Sequence, residues 1–288
     1  MKNKIAIVTD TNSGITQEEA KKLGIYLIAM PFFINDNTYY EGITLSQEEF
    51  FKKLEADKNI STSQPSPGTV IELWDNLLKD YDYDYILHIP MSSGLSSSME
   101  TARMLSSDYE GKVLVVDNKR ISVTFRQSIL DALYLIEKGL SAKEIQEILE
   151  KEALESIIYV TVDTLKYLEK GGRITPAVAA LGSMFNIKPV LLIDGGKLDT
   201  YKKVRGLKSA QKAMIEAIKN DIENRFKGTD YLIQTAYSGD LEQGKKWNET
   251  VKQAFPEHDV YNDVLPMSIC CHVGPGALGI TCVKKISL

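Results

Sequence analysis

Hydroxyl side chains are concentrated in three short loops of the N-terminal half of the sequence. These loops are TDTNSG (9–14), STSQPSPG (61–68) and MSSGLSSSM (91–99). Backbone N–H groups at a helix start, together with Ser and Thr hydroxyls, can bind an anion without a formal positive charge. Serines also cap helices, which is the simpler interpretation of any one loop. Three such loops in one sheet favour a binding site for an anion or a carboxylate.

A second candidate is His272, in the segment CHVGPGALG (271–279), where a glycine-rich turn follows directly. Glycines let the backbone approach a ligand closely. Ser93 and His272 could be the nucleophile and base of a hydrolase, with Asp10 or Asp117 as the orienting carboxylate. The Ser93 loop is not the G-x-S-x-G nucleophile elbow. A Ser93/His272 acyl-ester hydrolase is therefore kept as the alternative function.

Two arginines lie in glycine-containing segments of the C-terminal half. Arg173 belongs to EKGGRIT (169–175), which lacks the G-x-x-x-x-G-K-[ST] pattern of a nucleotide-binding loop. The glycines indicate the end of a helix, and Thr175 is a predicted cap for the next one. Arg205 in KKVRG (202–206) lies on a solvated hairpin end or, alternatively, faces a phosphate group or a docking partner.

Composition and charge exclude several classes of protein. The chain has 288 residues, of which 43% are hydrophobic and 25% charged, as in a soluble globular protein. A formal net charge of −5 argues against a nucleic-acid-binding surface. The N-terminal stretch lacks the apolar length of a signal peptide, and no run reaches the roughly 20 apolar residues that span a bilayer. The three cysteines lack metal-binding spacing, so we expect a cytoplasmic protein without a metal site.

Apolar runs alternate with helical patterns along the first half of the chain. Short runs rich in β-branched residues predict strands buried on both faces, as in a parallel sheet: KIAIVTD (4–10), YILHIP (85–90), KVLVVD (112–117) and IIYVTVD (157–163). FFINDNTYYEG (32–42) predicts a hairpin near the sheet edge. Helix caps are predicted at Ser66, Ser97 and Ser141. This alternation is typical of an α/β fold.

The pattern changes after about residue 163. It predicts a short helix, a glycine break, a small-residue helix, and a hairpin that turns at Gly195 and Gly196, before a long amphipathic helix. Residues 176–193 are rich in small and apolar side chains, which is typical of a core but would also line a narrow tunnel for an alkyl chain. We therefore predict two α/β domains, residues 1–162 and 163–288.

Eight motifs occur in the order that is found in one protein family: VTDTNS, TSQPSPG, MSSGLSSS, VVDNK, TLKYLEKGGRIT, FNIKPVLLIDGGKL, KVRG and HVGPGALG. Together, and essentially from end to end, they resemble the DegV family of bacterial fatty-acid-binding proteins. The resemblance implies an N-terminal parallel-sheet α/β domain and a C-terminal α/β domain, with a long-chain fatty acid between them. The C-terminal domain would contribute the acyl-chain pocket.

The same resemblance implies roles for individual residues. The residues that bind the fatty-acid carboxylate would be Thr62, Ser93 and His272, with Ser63, Gly94 and Gly274 beside them. Arg173 and Arg205 would lie near the head group or face a partner. The chain departs from the family at Ser97–Ser98, where Gly-Thr is frequent, and at Asn118, where Ser is frequent.

The implied partner is an ATP-binding fatty acid kinase. It would phosphorylate the bound fatty acid to an acyl phosphate for phospholipid synthesis, so this chain would need neither catalysis of its own nor a cofactor. Burial of a C16 tail at ~0.8 kcal/mol per methylene gives roughly 12 kcal/mol of gross driving force. The head group then needs only orientation, and we expect neutral donors to leave the carboxylate nucleophilic toward ATP.

Overall fold

The computed structural model describes residues 3–56, 59–180 and 187–287. The chain divides into two compact units. The first is formed by Met1–Ser46 and Asn59–Leu154, and the second by Gln47–Lys58 and Glu155–Leu288. Each unit combines helices with a sheet, and the N-terminal unit contains the parallel sheet, so the predicted α/β class is confirmed.

The bounds of the elements are as follows. The strands are β1 (Ile5–Asp10), β2 (Tyr26–Ile28), β3 (Pro31–Ile34), β4 (Asn37–Tyr40), β5 (Ile60–Thr62), β6 (Tyr85–Ile89), β7 (Val113–Val115), β8 (Ser156–Thr161), β9 (Ile187–Ile193), β10 (Asp199–Arg205), β11 (Tyr231–Tyr237), β12 (Tyr261–Val264) and β13 (Leu278–Lys284). The helices are α1 (Gln17–Leu23), α2 (Gln47–Glu55), α3 (Pro67–Lys79), α4 (Ser98–Ser106), α5 (Ser122–Glu137), α6 (Ala142–Lys151), α7 (Lys166–Gly171), α8 (Pro176–Ala179), α9 (Leu207–Asn224), α10 (Leu241–Ala254) and α11 (Met267–Val273). A 3₁₀ turn, Thr11–Ser13, follows β1 directly.

A parallel sheet of order β2-β1-β6-β7 organises the first unit. Its central strands are apolar because both faces of the sheet are covered. The buried side chains of α3 and α4 pack on one face of this sheet. The chain moves from β1 to β2 on one side, and later from β6 to β7 on the other. The strand order therefore reverses between β1 and β6. Ligands in open α/β sheets bind at such a reversal, beyond the carboxyl ends of the strands.

The predicted hairpin at 32–42 is confirmed as β3 and β4, which pair antiparallel. Its two-residue turn places Asn35 at φ 53°, a left-handed conformation that asparagine tolerates better than most residues. β5 joins the other side of β3, giving the order β4-β3-β5. β5 ends at Thr62, so the second hydroxyl-rich loop (61–68) begins on this small sheet.

The second unit contains a sheet of order β10-β9-β8-β13-β11-β12. The prediction that the run at 157–163 belongs to a parallel sheet is wrong, because β8 pairs antiparallel with both β9 and β13. Helices α9 and α10 cover one face, where Trp247 is fully buried and its Nε1 donates to Gly279 O at 2.8 Å. The run at 157–163 is apolar because both faces of the strand are buried. Strands of parallel and antiparallel sheets can both be buried in this way, so the apolar run does not determine the direction of the neighbouring strands.

The helix caps follow the sequence with one exception. Ser66, Ser141 and Thr175 each accept a hydrogen bond from a backbone N–H of the first helical turn, as predicted. Gly172 ends α7 at φ 67°, which confirms the predicted glycine break. Ser97 is the exception: it precedes α4 but its side chain makes no capping hydrogen bond. In residues 3–56, 59–180 and 187–287, no helix combines the length and apolar character needed to cross a membrane.

We expect Ser66→Ala to lower the free energy of unfolding by about 1 kcal/mol, because it leaves the Thr69 N–H without its capping acceptor. Ser97→Ala is the matched control and should change it much less, since Ser97 is exposed and does not cap. Urea denaturation followed by circular dichroism measures both. Equal losses for the two variants would contradict this account of the caps.

Candidate functional site

Loops that follow β1, β6 and β7 line the carboxyl ends of the parallel strands of the first unit. The loop after β1 is the first hydroxyl-rich loop, and the loop after β6 is the third. Both flank the point where the strand order reverses. The loop after β7, residues 116–121, lies beside them and contains Asp117, one of the two carboxylates that the sequence offered as an orienting group for Ser93.

Asp10, the last residue of β1, joins the first two of these loops. Its Oδ1 accepts hydrogen bonds from Asn12 N and Nδ2, both at 2.9 Å, and its Oδ2 accepts one from Met91 N at 3.0 Å. The side chain is only 2% exposed. Burial raises the pKa of Asp10 to about 6, against the lowering effect of these hydrogen bonds. Asp10 therefore fixes the start of the Ser93 loop.

The Ser93 hydroxyl lies in a hydrogen-bonded cluster with two charged residues. Ser93 Oγ donates to Asp117 Oδ2 at 2.7 Å, and Ser93 N donates to Asp117 Oδ1 at 3.3 Å. Lys119 Nζ donates to Ser93 Oγ and lies 2.6 Å from Asp117 Oδ2. Burial opposes ionisation of Asp117, but the hydrogen bonds from Lys119 and Ser93 outweigh it and hold its pKa below the usual value. Ser93 is therefore surrounded by charged groups as well as by neutral donors.

Arg120 anchors the loop after β7. The guanidinium is buried and donates to Ala153 O at 3.3 Å and to Glu152 O at 2.7 Å. Arg120 O accepts a hydrogen bond from Ser92 N at 3.0 Å, which ties this loop to the Ser93 loop. The Gly94 N–H donates to Ser92 Oγ at 3.1 Å. Ser93 and Gly94 are thus positioned by contacts from two directions.

The second hydroxyl-rich loop connects to the same region through Gln64. Its Oε1 accepts a hydrogen bond from Thr101 Oγ1 of α4 at 3.1 Å. A cavity of about 10 Å³ lies where the three loops meet, with room for a water molecule but not for an acyl chain. It is lined by Asp10, Ile28, Gln64, Pro65, Val70, His88, Pro90, Ser98, Thr101 and Ala102. The structure therefore brings the three loops together.

Thr62 and Ser63 lie at the end of β5 and directly after it. Thr62 pairs with Phe32 in the small sheet, and Ser63 N donates to Pro31 O at 3.2 Å. Ser63 also lines a groove of about 360 Å³ that runs along β3, β4 and the start of α3. The hydrogen bond from Thr101 Oγ1 to Gln64 Oε1 connects the residues after Ser63 to α4, the helix that follows the Ser93 loop.

His272 lies in α11 of the second unit and packs against the end of α7. A Cβ atom on Gly171 would lie 2.1 Å from His272 Nδ1, so only glycine leaves space for the imidazole. Gly274 ends the helix at φ 72°, and a Cβ there would lie 2.2 Å from Tyr167 Cδ2. Burial, followed by the positive charge of Arg173, lowers the pKa of His272 to about 4. The imidazole is therefore neutral at pH 7.

The two predicted arginines differ in their surroundings. Arg173 Nη1 donates to Gly171 O at 2.6 Å, and its backbone O accepts from Leu198 N, so it lies beside the His272 segment. Arg205 is exposed at the end of edge strand β10.

In the apolar segment at 176–193, residues 181–186 lie outside the described part of the chain, and the tunnel prediction for them is untested. Among the described residues, no three His, Cys, Asp or Glu side chains group as metal ligands.

Residues 4–285 match the model of a family described as "Uncharacterised protein, DegV family". The chain belongs to the DegV family. A DegV domain-containing protein of Listeria monocytogenes is 31% identical over 287 residues, which cover 98% of this chain and 99% of that relative. The resemblance predicted from the eight motifs is confirmed.

Two solved DegV structures are described as fatty acid binding. The protein from Thermus thermophilus has a TM-score of 0.87 and 26% identity, and the alignment covers 98% of this chain and 100% of that one. DegV from Bacillus subtilis has a TM-score of 0.85 and 28% identity, with the same coverage. This chain therefore shares its fold, end to end, with proteins that bind fatty acids.

We expect Gly171→Ala to displace His272, because the added Cβ would lie 2.1 Å from Nδ1. Overpacking of this kind costs about 1–3 kcal/mol of unfolding free energy. Gly196→Ala is the control, since its Cβ would meet nothing within 4 Å. Urea denaturation measures the stability, and the imidazole NMR signals report the position of His272. Unchanged signals together with an unchanged midpoint in Gly171→Ala would contradict this packing.

Proposed function

We propose that this protein binds a long-chain fatty acid and presents its carboxylate to an ATP-dependent fatty acid kinase. The acyl phosphate formed there would enter phospholipid synthesis, and this chain would act as the substrate-binding subunit. The observation that supports the proposal most is the end-to-end structural likeness to two fatty-acid-binding DegV proteins. The hydroxyl-rich loops at the reversal point of the sheet supply a place for an anionic head group.

For the head group, we assign the carboxylate-binding role to Thr62, Ser93 and His272, with Ser63, Gly94 and Gly274 beside them. The Ser93 loop supports this assignment because contacts from Asp10 and Arg120 fix its backbone before any ligand arrives. His272 supports it because its lowered pKa keeps the imidazole neutral at pH 7. A neutral imidazole can donate a single hydrogen bond to a carboxylate.

For the kinase, we assign a docking role to Arg205 and a head-group role to Arg173. Arg205 is exposed on an edge strand, where a partner can reach it. Arg173 is half-buried beside Gly171, and its charge already acts on His272. We expect the protein to work in the cytoplasm, where a kinase would find ATP.

The hydrolase alternative is less consistent with the charges around Ser93. In this alternative His272 has to take the proton of Ser93, whereas Ser93 Oγ donates that proton to Asp117 Oδ2 at 2.7 Å. Asp117 accepts that hydrogen bond, but its lowered pKa makes it a weak base. Lys119 Nζ donates to the same hydroxyl oxygen and pairs with Asp117 Oδ2 at 2.6 Å, so the groups beside Ser93 Oγ are already engaged with one another. We therefore favour binding over hydrolysis at Ser93.

We expect freshly purified protein to carry one fatty acid per chain. Native mass spectrometry should show a single added mass that disappears on denaturation, and lipid extraction should recover a fatty acid of about 14 to 18 carbons, the size that fits ordinary ligand pockets. Delipidated protein should take up added palmitate. A protein that is purified empty and takes up no palmitate would overturn the proposal. Hydrolysis of added acyl esters that is lost in Ser93→Ala would favour the alternative.

We expect Arg205→Ala to leave fatty acid binding unchanged but to slow acyl phosphate formation by the partner kinase at least about tenfold, because a lost interfacial charge contact weakens the complex. Lys203→Ala removes another exposed positive charge from the same strand and serves as the control. Acyl phosphate is trapped as a hydroxamate and quantified. Equal rates for wild type and Arg205→Ala would remove Arg205 from the docking surface.

A further inference from the structure

The charges next to Ser93 create a problem for an anionic ligand. The single proton of the Ser93 hydroxyl is donated to Asp117 Oδ2 at 2.7 Å. A carboxylate that binds at Ser93 therefore meets a hydroxyl that already donates elsewhere. It also meets the negative charge of Asp117, since the lowered pKa keeps that carboxyl ionised at pH 7. A positive charge is needed to offset this repulsion.

Lys119 supplies that charge at the same point. Its ammonium has three N–H donors, of which two point to Ser93 Oγ and Asp117 Oδ2. The Lys119 side chain is 37% exposed, whereas that of Asp117 is 12% exposed. An approaching anion can therefore reach the ammonium more easily than the carboxylate. The third donor leaves capacity for a ligand oxygen.

The backbone fixes Lys119 in this position. Lys119 lies at φ 54°, a left-handed conformation that is uncommon for a residue with a side chain. The buried Arg120 guanidinium holds the loop through Ala153 O and Glu152 O, and Asn118 Oδ1 accepts the Arg120 N–H at 2.8 Å. Strained backbone that surrounding contacts hold in place is frequent at ligand-binding sites. The fixed backbone and the contacts of Nζ with Ser93 and Asp117 together hold the ammonium in place, which lowers the entropy cost of binding.

We propose that Lys119, held in place by Asp117, recognises the negative charge of the lipid head group beside Ser93. This inference rests on the proposed function and deepens it. The site then selects anionic lipids, namely the free carboxylate and the acyl phosphate made from it, over alcohols and esters of the same chain length. Because the acyl phosphate carries more negative charge than the carboxylate, the same ammonium retains the product until it is passed on.

The test compares three C16 ligands: palmitate, hexadecanol and hexadecylphosphonate, a stable analogue of the anionic product. Lys119→Met keeps the length of the side chain and removes its charge. We expect it to weaken binding of palmitate at least about tenfold and of the phosphonate at least as much, with hexadecanol unchanged. Lys119→Arg should retain most of the preference for anions. Lys112→Met, before β7 rather than after it, removes the same charge away from the site and is the control.

The possible outcomes separate this inference from the function on which it rests. If wild type binds palmitate and Lys119→Met keeps the same palmitate-to-hexadecanol affinity ratio, the role of Lys119 is overturned and the carrier function stands. If wild type binds none of the three ligands, both are overturned. A Lys119→Met variant that loses hexadecanol and palmitate equally has lost its pocket rather than its charge recognition, and this also overturns the inference.

A second measurement uses the unmodified protein and does not depend on the folding of a variant. Palmitate should slow acetylation of Lys119 by acetic anhydride, followed by peptide mass spectrometry, while hexadecanol should not. Acetylation of Lys112 should be the same in all samples. Equal acetylation of Lys119 with and without palmitate, in a protein shown to be loaded, would contradict contact between the ammonium and the head group.

Discussion

The buried carboxylate of Asp10 is the interaction on which the candidate site depends. It accepts hydrogen bonds from the loop after β1 and from the start of the loop after β6, so it sets the spacing of two binding loops at once. This arrangement lowers stability near neutral pH. The folded state raises the pKa from 3.8 to about 6, so it binds the proton more tightly than the unfolded chain. The contribution of Asp10 to the free energy of unfolding therefore falls as pH rises from about 4 to 6.

Arg120 complements Asp10 at the start of the Ser93 loop. Its guanidinium binds backbone carbonyls of the segment after α6, and its own carbonyl binds Ser92 N. The two carbonyls satisfy the hydrogen-bonding needs of the buried guanidinium, and Arg120 O provides an acceptor for the Ser93 loop. The Ser93 loop is consequently shaped by two charged residues that are both buried and that do not themselves need to contact a ligand.

The sequence predicted the features that depend on local pattern. The strands at β1, β6 and β7 were recognised because both-sided burial requires continuous β-branched runs, and the hairpin at 32–42 because its turn residues tolerate positive φ. The direction of β8 could not be predicted, since burial is equal in parallel and antiparallel sheets. Lys119 was also missed as a contact of Ser93. Its position depends on a left-handed backbone at φ 54° and on a partner 26 residues away, and neither leaves a pattern in the sequence.

The excursion of α2 into the second unit has a consequence for attempts to cut the protein into parts. The helix Gln47–Glu55 comes from the N-terminal region, yet it contacts α11, the helix that carries His272. Phe50, on the buried face of α2, is fully inaccessible to solvent. A fragment that ends at Leu154 would expose this face to water and favour aggregation. A fragment that starts at Glu155 would lack one of the supports of its histidine helix. Neither fragment is therefore an independent module. The chain passes from one unit to the other at three places, after Ser46, after Lys58 and after Leu154, so an exchange of a whole unit between family members needs three junctions rather than one.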